Sequence, residues 1–267
     1  MSGGIHWRAW GEAPAEAVLL HCSLAQSGAL SGLARALDRP AKGLDFPGHG
    51  RSATHDPLED YGDQSFAAVL EGLPEHPVDV IGHSFGATIA LRLVLERPRA
   101  VRRLVLIEPA LVAAARGTPV HAAYMDSAAT VFAEFDAGRR EAAARAFNRL
   151  WGGMAWDRLP EAQRDELARL IHIIPAQHSA VVTDAPGVLA PGRLETVACP
   201  VLLVEGAASP PIVGAIMDAL AARLPGAARV RIEEAGHMAP LSHPGEVAAA
   251  VGPFLDATAR TQAFAAS

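Results

Sequence analysis

Gly82-His83-Ser84-Phe85-Gly86 has the spacing G-x-S-x-G. Five residues with three fixed positions mean little alone; what gives them weight is what flanks them. Val78 to Ile81 is a β-branched run entering the motif, and an apolar periodicity from Phe85 to Glu96 leaves it and stops before Pro98. A strand in and a helix out make a turn too tight for side chains at 82 and 86. The turn lifts the Ser84 hydroxyl above the C-terminal edge of a sheet, at a helix N-terminus whose N–H groups and dipole favour developing negative charge. A hydroxyl in that place attacks acyl carbons, provided a base removes its proton. Among 11 histidines the base is predicted to be His237, in Ala235-Gly236-His237-Met238 between the last strand pattern and the closing helix. His83 adjoins the nucleophile and is read as structural.

The elements that must position these residues are legible as alternating patterns. Apolar runs at Ala17–His21, Val78–Gly82, Val101–Ile107, Pro200–Glu205 and Ala228–Ile232 read as strands, with weaker ones at Ile5–Trp10 and Lys42–Phe46. Most are continuously apolar, as strands covered on both faces are. Helical periodicity fills the gaps at Leu30–Leu37, Gln64–Leu73, Phe85–Glu96, Ile212–Leu224 and Pro244–Leu255. The fold class this predicts is α/β, a mostly parallel, doubly wound sheet. From about Leu111 to Val197 the rhythm breaks. Three helical stretches, Val120–Phe135, Arg139–Trp151 and Glu161–Ile174, replace strands over a length too great for a plain loop. The predicted organisation is a core of 1–110 and 198–267 with a helical insertion of 111–197. Its aromatics Phe132, Phe135, Trp151 and Trp156 are expected to glue it to the body. Arg139, Arg140, Arg145 and Arg149 are expected to form a solvated face paired with Glu141, and His172 and His178 to be structural or surface residues.

Composition bounds the rest. The chain has 267 residues, 23 Lys plus Arg against 29 Asp plus Glu, and half its residues are hydrophobic. That excludes a disordered chain and argues against a nucleic-acid partner, which wants a basic face. The single lysine, Lys42, leaves nearly all positive charge to arginine. No run reaches the roughly 18 apolar residues that span a bilayer, so a membrane partner is not expected. Met1 to Trp10 has no secretory-leader pattern. Cys22 and Cys199 are too few for a disulfide scaffold or a four-ligand zinc site and are expected to be buried thiols. The expected location is the cytoplasm.

The elbow, Gly236-His237 and the turn Asp45-Phe46-Pro47-Gly48-His49-Gly50-Arg51-Ser52 (D-x-P-G-H-G-x-S) together resemble the α/β-hydrolase superfamily over nearly the whole chain. The resemblance implies Ser84 as nucleophile, His237 as base, and 111–197 as a cap placed after the sixth strand. It makes 45–52 a pocket-shaping turn without a catalytic role. It also implies an oxyanion hole from two backbone N–H groups, one of Phe85 and one after Leu19-Leu20-His21. By position the second is Ser23, with Leu24 as the alternative; Cys22 stands where relatives carry Gly, a position where positive φ would strain a side chain.

The triad acid departs from the pattern. Most of the superfamily places an Asp shortly after the seventh strand, but 205–211 reads Glu-Gly-Ala-Ala-Ser-Pro-Pro. Glu108, ending the previous strand, is the predicted acid, with Glu205 as the alternative carboxylate, and a Ser–His dyad without an acid stays open. The expected activity is hydrolysis of a small carboxylic ester through an acyl-enzyme, with no cofactor and no metal. The same Ser-His site serves a C–C bond hydrolase, a lactonase or a thioesterase, and the missing Asp keeps open a low-turnover small-molecule binding protein of this fold.

Overall fold

The computed structural model describes residues 4–265. Seven strands, β1 (Trp7–Trp10), β2 (Ala17–Leu20), β3 (Ala41–Leu44), β4 (Val78–His83), β5 (Val101–Ile107), β6 (Val201–Gly206) and β7 (Ala228–Ile232), form one sheet in the order β1-β3-β2-β4-β5-β6-β7. Only β1 runs antiparallel, against β3; every other pairing is parallel.

The continuous apolar runs have a direct cause. Alternate residues of each inner strand point to opposite faces, and both faces are covered. Val18, Leu20, Leu104, Leu106 and Leu203 join the core packed under α2 (Tyr61–Gly72), α3 (Phe85–Glu96) and α8 (Pro211–Ala221). Leu19, Val105, Ile107, Leu202 and Val204 join the core under α1 (Ser31–Ala36) and α10 (Pro244–Ala265). β7 lies at the sheet edge, where Arg229 and Arg231 reach solvent. Helix α2 begins three residues earlier than its apolar period suggests, because the Asp60 side chain accepts the Asp63 N–H at 2.9 Å and caps it.

Between β5 and β6 the described chain contains no strand. It holds α4 (Pro119–Asp136), α5 (Arg140–Leu150), α6 (Glu161–Leu170) and the single turn α7 (Ile173–Ala176). The expected helix over 161–174 is broken near Ile171, because the Pro175 ring has no N–H and would meet the carbonyl four residues back. The helical segment thus follows the fifth strand of this sheet, not the sixth: the chain supplies one strand fewer before it than the family resemblance implies. Its exposed arginines pair differently from expectation, Arg139 with Glu134 and Arg145 with Asp157. Residues 239–242 form a short helix, α9 (Ala239–Ser242), ahead of α10. No helix among the described residues is long and apolar enough to cross a membrane.

Candidate active site

Ser84 sits between β4 and α3 with φ 56° and ψ −116°, a conformation only an over-determined turn sustains. A Cβ on Gly82 would lie 2.5 Å from the Ala87 Cα, and one on Gly86 would lie 2.5 Å from the Leu20 carbonyl carbon, backbone in both cases. The strained residue is held by its Ser84 N–H donating to Ile107 O at 2.9 Å and by Ser84 O accepting the Ala110 N–H at 3.1 Å.

His237 arrives on the loop after β7, and its Nε2 is 3.0 Å from Ser84 Oγ. Its Nδ1 is 2.7 Å from Glu108 Oε2. Since an ionised carboxylate only accepts, Nδ1 carries the proton and Nε2 offers its lone pair to the serine hydroxyl. Glu108 leaves β5 at φ 46° and is fully buried. Burial pushes its carboxyl up, but the hydrogen bond and charge of His237, the Gly206 N–H and the Ser209 hydroxyl outweigh burial and hold it below the usual carboxylate range. Those last two groups donate to Oε1 at 2.5 Å each. Glu205, the other candidate carboxylate, is committed to Arg229 at 2.6 Å. Ser209, in the 205–211 loop after β6, is thus a donor to the carboxylate at the end of β5.

The expected oxyanion donors are free. Neither the Ser23 nor the Phe85 N–H is donated to another group among the described residues, and Ser23 lines the same cavities as Ser84. Leu24 drops out as the alternative, because its N–H donates to His49 Nε2 at 3.1 Å. The backbone strain expected at Cys22 falls on Leu24 instead, at φ 57°. Cys22 is a buried packing residue whose thiol burial pushes up to about 12.

The loop carrying Ser23 is bolted to the 45–52 turn. Asp45 Oδ1 accepts the Ser27 N–H at 2.7 Å and hydroxyl at 2.6 Å, and His21 Nε2 accepts the Phe46 N–H at 3.0 Å. His49 completes the clamp through Leu24, its own Nδ1 lying 3.2 Å from Pro47 O.

Three further residues touch the site without a sequence signal that singles them out. His83 Nε2 donates to the His237 carbonyl at 2.7 Å, and burial drives the ring's pKa down to about 3, so it stays neutral. His83 is structural as expected, but its structural task is to tie the nucleophile's strand to the base's loop. Trp151, at the end of α5, lays its ring 4.5 Å from the His237 ring and covers it from the helical segment. Ser23 Oγ donates to Gln177 Oε1 at 2.6 Å, fixing the oxyanion loop against that same segment. Of the aromatics expected to act as glue, Trp156 is buried in the core and Phe135 packs against it, whereas Trp151 and Phe132 border the space above Ser84. His172 stacks on His55 and His178 meets Phe132 edge-on. No group of three or more metal-ligating side chains converges among the described residues. The arrangement is a serine hydroxyl, an imidazole and a buried carboxylate in one line, beside two uncommitted N–H donors.

A family model described as the alpha/beta hydrolase family matches residues 7–250. A pimeloyl-[acyl-carrier protein] methyl ester esterase of Aromatoleum aromaticum is 33% identical over 210 residues, covering 76% of this chain and 82% of that protein. Lipase LipV of Mycobacterium tuberculosis is 41% identical over 73 residues, 27% of this chain and 28% of the lipase. The solved carboxylesterase CesB (YbfK) of Bacillus subtilis shares the fold, with a TM-score of 0.69 at 22% identity over 95% of this chain and 88% of that one. A seven-stranded sheet with a G-x-S-x-G turn at its centre, and matches of this extent, make the chain a hydrolase belonging to the α/β-hydrolase family.

Proposed function

We propose that the protein is a serine carboxylic-ester hydrolase, with 1–110 and 198–267 as its catalytic core and 111–197 as a cap over the site. The observation that carries the proposal is the unbroken line from Glu108 Oε2 to His237 Nδ1 at 2.7 Å and from His237 Nε2 to Ser84 Oγ at 3.0 Å. His237 takes the hydroxyl proton as Ser84 Oγ bonds to the acyl carbon. The Ser23 and Phe85 N–H groups receive the oxyanion, each such donor contributing about 10²–10³ in rate. The ester C–O bond breaks, the leaving oxygen takes the proton from His237, and an acyl-Ser84 remains. Water then gives a proton to the same imidazole and attacks the acyl carbon; the bond from the acyl carbon to Ser84 Oγ breaks, Oγ takes the proton back from His237, and the acid leaves. Glu108 keeps the imidazole in the right tautomer and balances its charge when protonated.

A C–C bond hydrolase, a lactonase or a thioesterase would use the same groups. The ester reading is preferred because the relatives in hand are named as a methyl ester esterase and a lipase. The non-catalytic alternative rests on the absent Asp, and the buried carboxylate 2.7 Å from Nδ1 weighs against it. A fluorophosphonate probe should label Ser84 stoichiometrically, and p-nitrophenyl esters should give a burst of p-nitrophenol. Ser84→Ala should lose both while unfolding at nearly the same temperature. A folded wild-type protein that neither labels nor bursts would refute the proposal.

A further inference from the structure

Two cavities meet at Ser84, and they differ in size, lining and access to the base. One is a slot of about 40 Å³ between core and helical segment, walled by Tyr124, Met125, Phe132, Ile174, Val181 and Val182. No Asp, Glu, Lys or Arg lines it; besides Ser23, Ser84 and Tyr124 its polar lining is Gln177 and His178. The other is a cleft of about 690 Å³ that opens past α6 and the loop after β7. Ser23 and Ser84 belong to both, and Phe147 and Trp151 stand between them. His237 lines only the cleft.

We infer that the slot takes the acyl chain and the cleft takes the alcohol, so that the preferred substrates are esters of short, uncharged aliphatic acids with bulky, non-anionic alcohols. The inference rests on the ester-hydrolase reading and gives it a substrate class. The reason for the orientation is protonic. The leaving oxygen must collect its proton from His237 Nε2, so the alcohol has to lie on the side that His237 faces. The acyl group stays bonded to Ser84 while the alcohol departs and water enters, and the slot is the remaining space beside the nucleophile.

Size follows from volume: at about 40 Å³ against about 690 Å³ the slot is by far the smaller space, so it takes a short acyl chain and leaves the bulkier alcohol to the cleft. Charge follows from the cleft's lining. It carries Gln26, Asn148 and Gln163 with two carboxylates, Glu166 and Glu234, and no Lys or Arg. Arg169 offsets Glu166 at 2.7 Å, and Glu234 is left as a net negative at the mouth. A phosphate-bearing leaving group such as a coenzyme A or carrier-protein arm meets no cation there and one anion.

The test uses p-nitrophenyl esters from acetate to octanoate, together with butanoyl glycerol and butanoyl-coenzyme A. For the wild type, kcat/KM should be highest on the short chains, acetate to butanoate, and fall about tenfold or more by octanoate, since a methylene that does not fit costs about tenfold or more. Butanoyl glycerol should be turned over faster than butanoyl-coenzyme A. Phe132→Ala and Val181→Ala should each move the optimum to longer chains, while Leu167→Ala, in the cleft, should keep the chain-length order. Octanoate preferred by the wild type, a chain-length order that responds only to Leu167→Ala, or a preference for the coenzyme A ester would overturn the inference and leave the hydrolase reading standing. Absence of any Ser84-dependent turnover would instead overturn the hydrolase reading and this inference with it. The wild-type series decides the matter even if a slot variant fails to fold.

Discussion

Replacing Glu108 by Gln removes one charge and almost no volume. The Gln carbonyl still accepts the Gly206 N–H and the Ser209 hydroxyl that now converge on Oε1. Its amide NH₂ therefore faces His237 Nδ1, where Oε2 lies at 2.7 Å in the wild type. Two donors cannot share that contact. The imidazole responds by moving its proton to Nε2, the nitrogen 3.0 Å from Ser84 Oγ, and the base then points a proton at the group it should deprotonate. Inverting the tautomer in this way costs on the order of 10⁴ in kcat, about 5 kcal/mol of barrier. Glu108 lines neither cavity, so KM should stay within about threefold. Steady-state hydrolysis of p-nitrophenyl butanoate by both proteins, with circular dichroism to establish folding, measures the effect. Glu205→Gln is the control: that carboxylate is held by Arg229 and should leave kcat nearly untouched. A folded Glu108→Gln variant that retains more than a tenth of wild-type kcat would show that the carboxylate does not orient the base.

His83→Phe leaves the His237 carbonyl buried without its donor; a loss on the order of 1–3 kcal/mol in stability is expected, with kcat falling more than KM rises, and an unchanged kcat would separate His83 from the site. His49→Ala frees the Leu24 N–H and loosens the oxyanion loop, so kcat should drop about tenfold to a hundredfold, below the cost of deleting a donor outright; the same rate as wild type would show that the loop needs no clamp. Acid should destabilise the fold before carboxylates titrate. Burial holds the His83 pKa down to about 3 and the His21 pKa down to about 4 from an ordinary 6.5, so between those values the unfolded chain binds more protons than the folded one. Their contribution is intact above pH 6.5 and is lost as pH falls toward 4, on the order of several kcal/mol. Denaturant unfolding at pH 7.5 and pH 4.5 reads this directly, and equal midpoints would contradict it.

The parts of the site legible in the chain are those fixed by neighbours in sequence. Strand β4, the turn and α3 are consecutive, so the glycines at 82 and 86 and the placement of Ser84 follow from local sterics. The loop after β7 follows from the βα alternation. The acid was ambiguous because Glu108 and His237 are 129 residues apart and only the packing of β5 beside β6 puts one carboxylate on Nδ1. Nor does the sequence distinguish Ser209 as a donor to Glu108, or His49 as the partner of the Leu24 N–H, since each role is a contact between loops from different crossovers. The aromatics of the helical segment look alike in sequence, and Trp151 and Trp156 are both buried in the same core, yet only Trp151 also lies against the His237 ring.

Periodicity, turn chemistry and composition by themselves determined a doubly wound α/β sheet, a serine in a tight turn at its edge and a histidine delivered to the same edge. They do so because each depends on dihedrals and apolar spacing within about a dozen residues. Which carboxylate completes the line, which N–H groups stay uncommitted, and how the space above Ser84 divides into a slot and a cleft were decided only by tertiary structure. Those properties belong to side chains brought within 3 Å of each other from distant crossovers, and no short-range rule of the chain encodes that meeting.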